Sequence, residues 1–244
     1  MFLSKLKNKR EVISWSLFDF ANQPFSTIIV TFIYGAFFTN YIVADEHLGT
    51  LLWSTGISVT AIVVSLFSPI LGALADRGGY RKLFLIFFTW ISAIFSIILY
   101  FPDAGDIYFA LIVFILANIS FEISTVFCNS YLPDLAGKGN IGKVSGFAWG
   151  LGFFGGLSAL FLSLYLFPDL DSEEIKRINI LVGLWFILFS LPTFLFLKDK
   201  KAEKLKKIHL VDSIKSLKKT FREVIKYKTI FKFLISRLFY NDGL

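Results

Sequence analysis

Apolar residues in this chain gather into long, nearly unbroken runs set apart by short charged or Gly/Pro-containing stretches. A helix rises about 1.5 Å per residue, so about 20 apolar residues cross a hydrocarbon core about 30 Å thick. Six runs meet that length: Val12 to Val43, Leu51 to Ala75, Leu83 to Phe101, Ile107 to Leu132, Val144 to Phe167 and Ile178 to Leu197. A seventh begins near Thr229 and reaches Leu244. The expected fold class is therefore an all-α membrane protein. Its parts are a six-helix unit over 1–197, a basic linker over 198–228 and the start of a seventh transmembrane helix over 229–244.

Composition agrees with a membrane protein: hydrophobic types make up 55% of 244 residues, and Phe alone fills 30 positions. Few soluble domains are this apolar. Cys128 is the single cysteine and there are only two histidines, so neither a disulfide framework nor a metal site is expected. The net charge of +7 has a topological explanation rather than a nucleic-acid one. With the N-terminus inside, Lys and Arg fall on the tail, in "DRGGYRK", in "GKGNIGK" and between Lys198 and Lys232, whereas the outer loops carry only Lys176 and Arg177. Those outer loops hold acids instead, including Asp45, Asp103, Asp106, Asp169 and Glu173. The positive-inside rule then puts the N-terminus in the cytoplasm; a bacterial cytoplasmic membrane is the expected location. The N-terminal tail is charged like a signal peptide, but the run after it is too long and lacks a cleavage site, so it should stay on the mature protein.

In the linker, Leu210, Ile214, Leu217, Phe221 and Val224 recur at helical spacing beside Lys215, Lys218, Lys219, Arg222 and Lys226. The pattern predicts an amphipathic helix on the inner leaflet, against the plainer reading of a solvated basic linker.

Polar residues inside the spans carry the functional question. An ionisable group at the centre of a span costs about 2.5–3.5 kcal/mol on the insertion scale, so it tends to face a cavity or a partner. The first span contains "DFANQP", with Asp19, Asn22, Gln23 and Pro24. Pro24 lacks an amide donor and crowds the carbonyl four residues back, so the helix should break or kink over Phe20 to Pro24. Freed carbonyls with Asn22 and Gln23 would then bind a polar solute; the alternative is a kink that only shapes the bundle. In the fourth span Asn118, Glu122, Thr125 and Asn129 share one face. Glu122 is deeper than Asp19, which lies about 10 Å in, and is the candidate proton-coupling carboxylate. Asp19 is expected nearer the cytoplasmic gate, paired with a basic group. For both acids a purely structural interhelical bond is the competing reading.

The fifth span reads "GFAWGLGFFGG". It satisfies a dinucleotide-like Gly-x-Gly-x-x-Gly, but no strand precedes it and it lies in an apolar span. Gly146 with Gly150, and Gly152 with Gly156, are instead small pairs suited to close helix packing. Ser216 to Lys219 matches Ser-x-x-Lys on the linker and carries no enzymatic reading, and no nucleophile, base and orienting group occur together. No enzyme and no cofactor are expected.

The loop after the second span reads "GALADRGGYRK" and resembles the signature of the major facilitator superfamily at Gly72, Asp76, Arg77, Gly79, Arg81 and Lys82. Gly72 would permit close helix contact and Gly79 a tight reversal. The resemblance implies a gate loop that latches the two halves of a twelve-helix fold on the cytoplasmic side. A basic loop that only fixes topology would not explain Asp76. "WSLFDFANQPF", "NSYLPDLA", "GKVSGFAWGLGFFGG" and "LFYNDG" are similar to the branch of autophagy-related vacuole effluxers and their bacterial relatives. The fungal members are associated with amino-acid efflux.

"DFANQPF" also has an echo in "LFYNDGL", pairing Asn22 with Asn241, Gln23 with Asp242 and Pro24 with Gly243. Matching interruptions in two halves are what repeat-built transporters produce. The chain is thus read as a first half and the opening of a second, truncated at Leu244, with the lipid bilayer and a missing C-terminal half as partners. The implied function is secondary active transport of a small polar solute, with amino acids as the associated class, coupled to an ion such as the proton. The competing reading is a non-transporting split or degenerate half that serves as a membrane interaction module.

Overall fold

The computed structural model describes residues 8–137 and 139–199 and, singly, Tyr227, Thr229, Lys232, Phe233 and Ser236, with the backbone alone over 73–78. The linker helix and the echo at Asn241, Asp242 and Gly243 lie outside the described residues, as does most of the seventh span. Among the described residues, six helices are long and apolar enough to cross a membrane.

The first span, Lys9–Ile42, is composite. It comprises α1 (Lys9–Pro24), a π-helical stretch Phe25–Phe32, α2 (Tyr34–Phe37) and a second π-helical stretch Phe38–Ile42. The second and third spans are α3 (Glu46–Gly78) and α4 (Arg81–Ile98). The fourth comprises α5 (Ile107–Asn129) and the short α6 (Leu132–Ala136), and the fifth and sixth are α7 (Ile141–Leu166) and α8 (Ser172–Phe196). Pro133 stands in the first turn of α6, where its missing amide costs nothing.

Hydropathy begins the sixth span at Ile178, yet the helix starts at Ser172. The charged first turn is built by capping: the Asp171 carboxylate accepts from the Glu174 amide at 2.8 Å, and Glu174 reaches back to the amides of Asp169 and Leu170. This reciprocal arrangement satisfies donors that a helix start leaves open.

The principal contacts run in the order α7–α1–α8–α4–α5–α3. Exchanging spans one to three with spans four to six leaves that order unchanged. First against fifth corresponds to fourth against second, first against sixth to fourth against third, and third against sixth to itself. Such a nested repeat matches the architecture of one half of a major facilitator fold. It also makes the first and fourth spans equivalent, and these are the two that carry the polar residues.

Buried aromatics fill the interior. Trp53 of α3 stacks on Phe114 of α5 with ring centroids 3.8 Å apart, and Phe25 stacks on Phe121 at 4.7 Å. Large apolar side chains such as Phe154, Phe161, Leu188 and Leu195 point outward, as expected of surfaces facing lipid rather than water.

Candidate functional site

The polar turn of the first span is held from three sides. Pro24 leaves the Phe20 carbonyl without its usual helical donor. The indole Nε1–H of Trp185, on α8, donates to that oxygen at 3.2 Å. Trp185 also stacks on the Phe20 ring at 5.3 Å, and Phe189 closes the cluster at 4.9 Å from Phe20 and 4.4 Å from Trp185. The chain does not break at Pro24: it stays helical and widens into the π-helical stretch from Phe25. The expected break is thus a change of pitch, and the carbonyl expected to be free for solute is already engaged.

From the second side, α7 presses its glycines against the same turn. A Cβ on Gly155 would lie 2.4 Å from the Phe20 oxygen, one on Gly152 3.1 Å from Asp19 Cβ, and one on Gly156 2.6 Å from Thr27 Oγ1. Only a bare glycine surface allows this approach. Gly146 and Gly150 meet nothing within 4 Å among the described residues, so the packing face is Gly152, Gly155 and Gly156. The close contact expected at Gly146 and Gly150 is, like that at Gly72, not made among the described residues.

The third side is the fourth span. Asn22 is buried, and its Nδ2 lies 3.4 Å from Thr125 Oγ1, which joins the first-span turn to the polar face of α5. On that face Asn118 is buried, Thr125 half-buried, and Glu122 and Asn129 exposed. Gln23 and Asp19 are half-buried. Asp19 makes no ion pair among the described residues, so the basic partner expected for it is absent there. Two more bonds fix α1: Trp15 Nε1 donates to the Cys128 carbonyl at 2.7 Å, and Thr193 Oγ1 to the Ser14 carbonyl at 2.6 Å. Interhelical bonds of this kind contribute about 0.6–2 kcal/mol each in a membrane.

At the basic-loop end, Gly79 has φ +67°, in the region where glycine is favoured, and reverses the chain between α3 and α4 as the motif requires. Gly72 meets nothing within 4 Å among the described residues, so the close contact expected there is not made within this unit. The side chains of Asp76 and Arg77 are outside the description. Arg81 pairs with Asp134 of α6 at 3.1 Å, with its guanidinium 5.9 Å from the Tyr131 ring centroid. The Tyr131 hydroxyl donates to Asp199, which also accepts from the Lys82 amide at 3.1 Å. The basic loop is therefore tied to α6 and to the end of the sixth span.

The opposite end carries a second polar lock. Lys176, only 5% exposed, pairs with Asp103 at 3.1 Å and Glu173 at 3.2 Å. Asp103 also accepts from the Tyr41 hydroxyl at 2.7 Å. The Tyr41 hydroxyl, then the Ala104 amide and Lys176, hold the Asp103 carboxyl down at about 2.

Trp185, Asp134 and Asp199 were not singled out by sequence. Charge alone could have flagged the two acids at their span ends, whereas an indole inside an apolar run gives no polar signal.

The profile of the family described as "Vacuole effluxer Atg22 like" matches residues 50–142 and 139–244. A Bacillus subtilis (strain 168) protein named as an uncharacterized MFS-type transporter, YxiO, is 25% identical over 243 residues, covering 94% of this chain and 56% of its own. An uncharacterized protein of Aquifex aeolicus (strain VF5) is 26% identical over 229 residues, 93% of this chain and 52% of its own. Autophagy-related protein 22 of Pichia angusta is 26% identical over 175 residues, 61% of this chain and 31% of its own. The chain thus spans about half the length of the two bacterial relatives. No solved structure matches. The chain, an integral multi-pass membrane protein, belongs to the vacuole effluxer Atg22-like family of membrane transporters, within the major facilitator superfamily.

Proposed function

We propose that the six-span unit forms one half of a secondary transporter that moves a small polar solute, amino acids being the first class to test, by alternating access with an ion gradient. The observation that carries this reading is the meeting of the first and fourth spans at Asn22 and Thr125, 3.4 Å apart. It joins the polar turn to the α5 face where Glu122 and Asn129 are exposed. In this reading Asp19, Asn22, Gln23, Asn118, Glu122 and Asn129 line the path. Asn22 and Gln23 contact solute, and Glu122 exchanges the proton. Trp185 occupies the carbonyl released by Pro24, which leaves the side-chain amides rather than the backbone as the groups available to solute.

The gate loop from Gly72 to Lys82 faces the cytoplasm, as does the N-terminus, and the Arg81–Asp134 pair with the Asp199 contacts steadies it against the fourth and sixth spans. The second half, on the same or another polypeptide, supplies the opposite wall. The test is uptake into proteoliposomes that hold this unit together with a second half. Labelled amino acids and other small metabolites are screened with and without an imposed proton gradient. Saturable uptake that is lost in Asn22→Ala supports the reading; no uptake of any polar solute under either gradient counts against it.

A further inference from the structure

We propose that the groove beside α8 seats one acyl chain of an anionic phospholipid whose phosphate is held by Arg177. The groove holds about 470 Å³ and is lined by Phe167, at the end of α7, and by Arg177, Leu181, Leu184, Leu188 and Phe189 of α8. It exists because α7 and α8 both pack on α1 and touch each other only slightly. From Arg177 to Phe189 the helix rises about 18 Å, close to the roughly 15 Å depth of one leaflet's hydrocarbon. Arg177 therefore stands at headgroup depth when Phe189 reaches the middle of the bilayer.

The charge at the mouth fits an anion and little else. Arg177 is exposed and makes no ion pair or hydrogen bond among the described residues. The acids nearest in sequence are engaged elsewhere: Glu173 with Lys176 at 3.2 Å, Glu174 with the Asp169 and Leu170 amides, and Asp171 with the Glu174 amide. An exposed planar guanidinium matches phosphate oxygens in a two-point contact. Below it the wall is apolar for three turns, which suits a hydrocarbon chain and not a free phosphate. The groove adjoins the first-span turn through Trp185 and Phe189, which line it and also pack on Phe20, but the lipid site does not rest on the transport reading.

The experiment is native mass spectrometry of the full chain, purified in dodecyl maltoside and mixed with phosphatidylglycerol or phosphatidylcholine. One phosphatidylglycerol should be retained, about fivefold more than phosphatidylcholine, in line with one cation near a membrane surface. Arg177→Gln should remove that preference, Arg177→Lys should keep most of it, and Leu184→Trp, which fills the groove, should lower retention of both lipids. Circular dichroism and elution volume check that each variant is folded. Equal retention of the two lipids, with Arg177→Gln silent, overturns the proposal. So does displacement of phosphatidylglycerol by glycerol 3-phosphate, which would make the ligand a soluble phosphate. Protection of Leu184→Cys from maleimide in lipid-free protein would assign the groove to a protein segment or second copy, and equally overturns it.

Discussion

The indole N–H of Trp185 meets the Phe20 carbonyl at 3.2 Å, the oxygen that Pro24 leaves without its helical donor. A proline in a membrane helix orphans a carbonyl, and here the sixth span provides the missing donor. The pitch change after Pro24 is therefore tolerated by a bond from another helix rather than by exposure. Asn22 and Gln23, which follow Phe20 within the same turn, are held in place as a result.

That relationship predicts a coupling between Trp185 and Pro24. Trp185→Phe keeps most of the ring but removes the donor, and should destabilise the detergent-solubilised protein by about 1 kcal/mol. In a Pro24→Ala background residue 24 regains an amide for the Phe20 carbonyl, so the same Trp185→Phe change should cost only a few tenths of that figure. Thermal unfolding of the four proteins closes the double-mutant cycle. Equal costs in the two backgrounds would mean that Trp185 acts by packing alone.

The glycines of α7 predict an asymmetry within one short string. Gly155→Ala brings a Cβ to 2.4 Å from a backbone oxygen that has little room to retreat, and should destabilise by about 1–3 kcal/mol. Gly150→Ala meets nothing within 4 Å among the described residues. Its gain in helix propensity, up to about 1 kcal/mol, should leave stability unchanged or raised. Unfolding in sodium dodecyl sulfate compares the two, and a larger loss at Gly150 would contradict the packing.

Much of the architecture was legible because a bilayer selects for length and apolarity, and the six runs show both. The start of the sixth span was missed because Glu173, Glu174, Lys176 and Arg177 lower the hydropathy there. The Glu173, Glu174 and Lys176 charges are instead absorbed by capping and by ion pairing, while Arg177 stays exposed. The polar residues of the first and fourth spans were recognisable by their cost in lipid. Their fixing partner was not, since Trp185 lies 165 residues from Phe20 and looks like any other apolar position. Spacing identified glycine pairs on α7 but not which face meets α1, because that choice rests on the whole arrangement of neighbours.

The lock around Asp103 has a defined pH dependence. Its folded pKa of about 2 lies below the ordinary 3.8. The stability it adds is therefore fully present above about pH 4–5 and is lost as pH falls through about 2. Asp103→Asn also leaves the buried Lys176 with Glu173 alone. The variant should melt below the wild type at pH 7, and the two melting temperatures should converge as pH approaches 2. A gap that persists undiminished at the lowest pH would assign the loss to packing rather than charge.

Glu122 sits on the α5 face that meets the first span through Thr125 and Asn22, and it is exposed rather than sealed in the core. A carboxylate on a membrane helix is costly to keep, and Glu122 makes no ion pair among the described residues; in the proposed transport mechanism it exchanges the proton. Glu122→Gln retains size and hydrogen-bonding capacity but cannot ionise. In proteoliposomes carrying both halves, it should abolish solute accumulation driven by a proton gradient and leave solute-for-solute exchange near wild-type rates. Retained exchange shows that folding, binding and alternating access survive, so the loss is specific to coupling. If accumulation persists in the variant, the proton is carried elsewhere, and Asp19, half-buried on the first span, is the next carboxylate to neutralise.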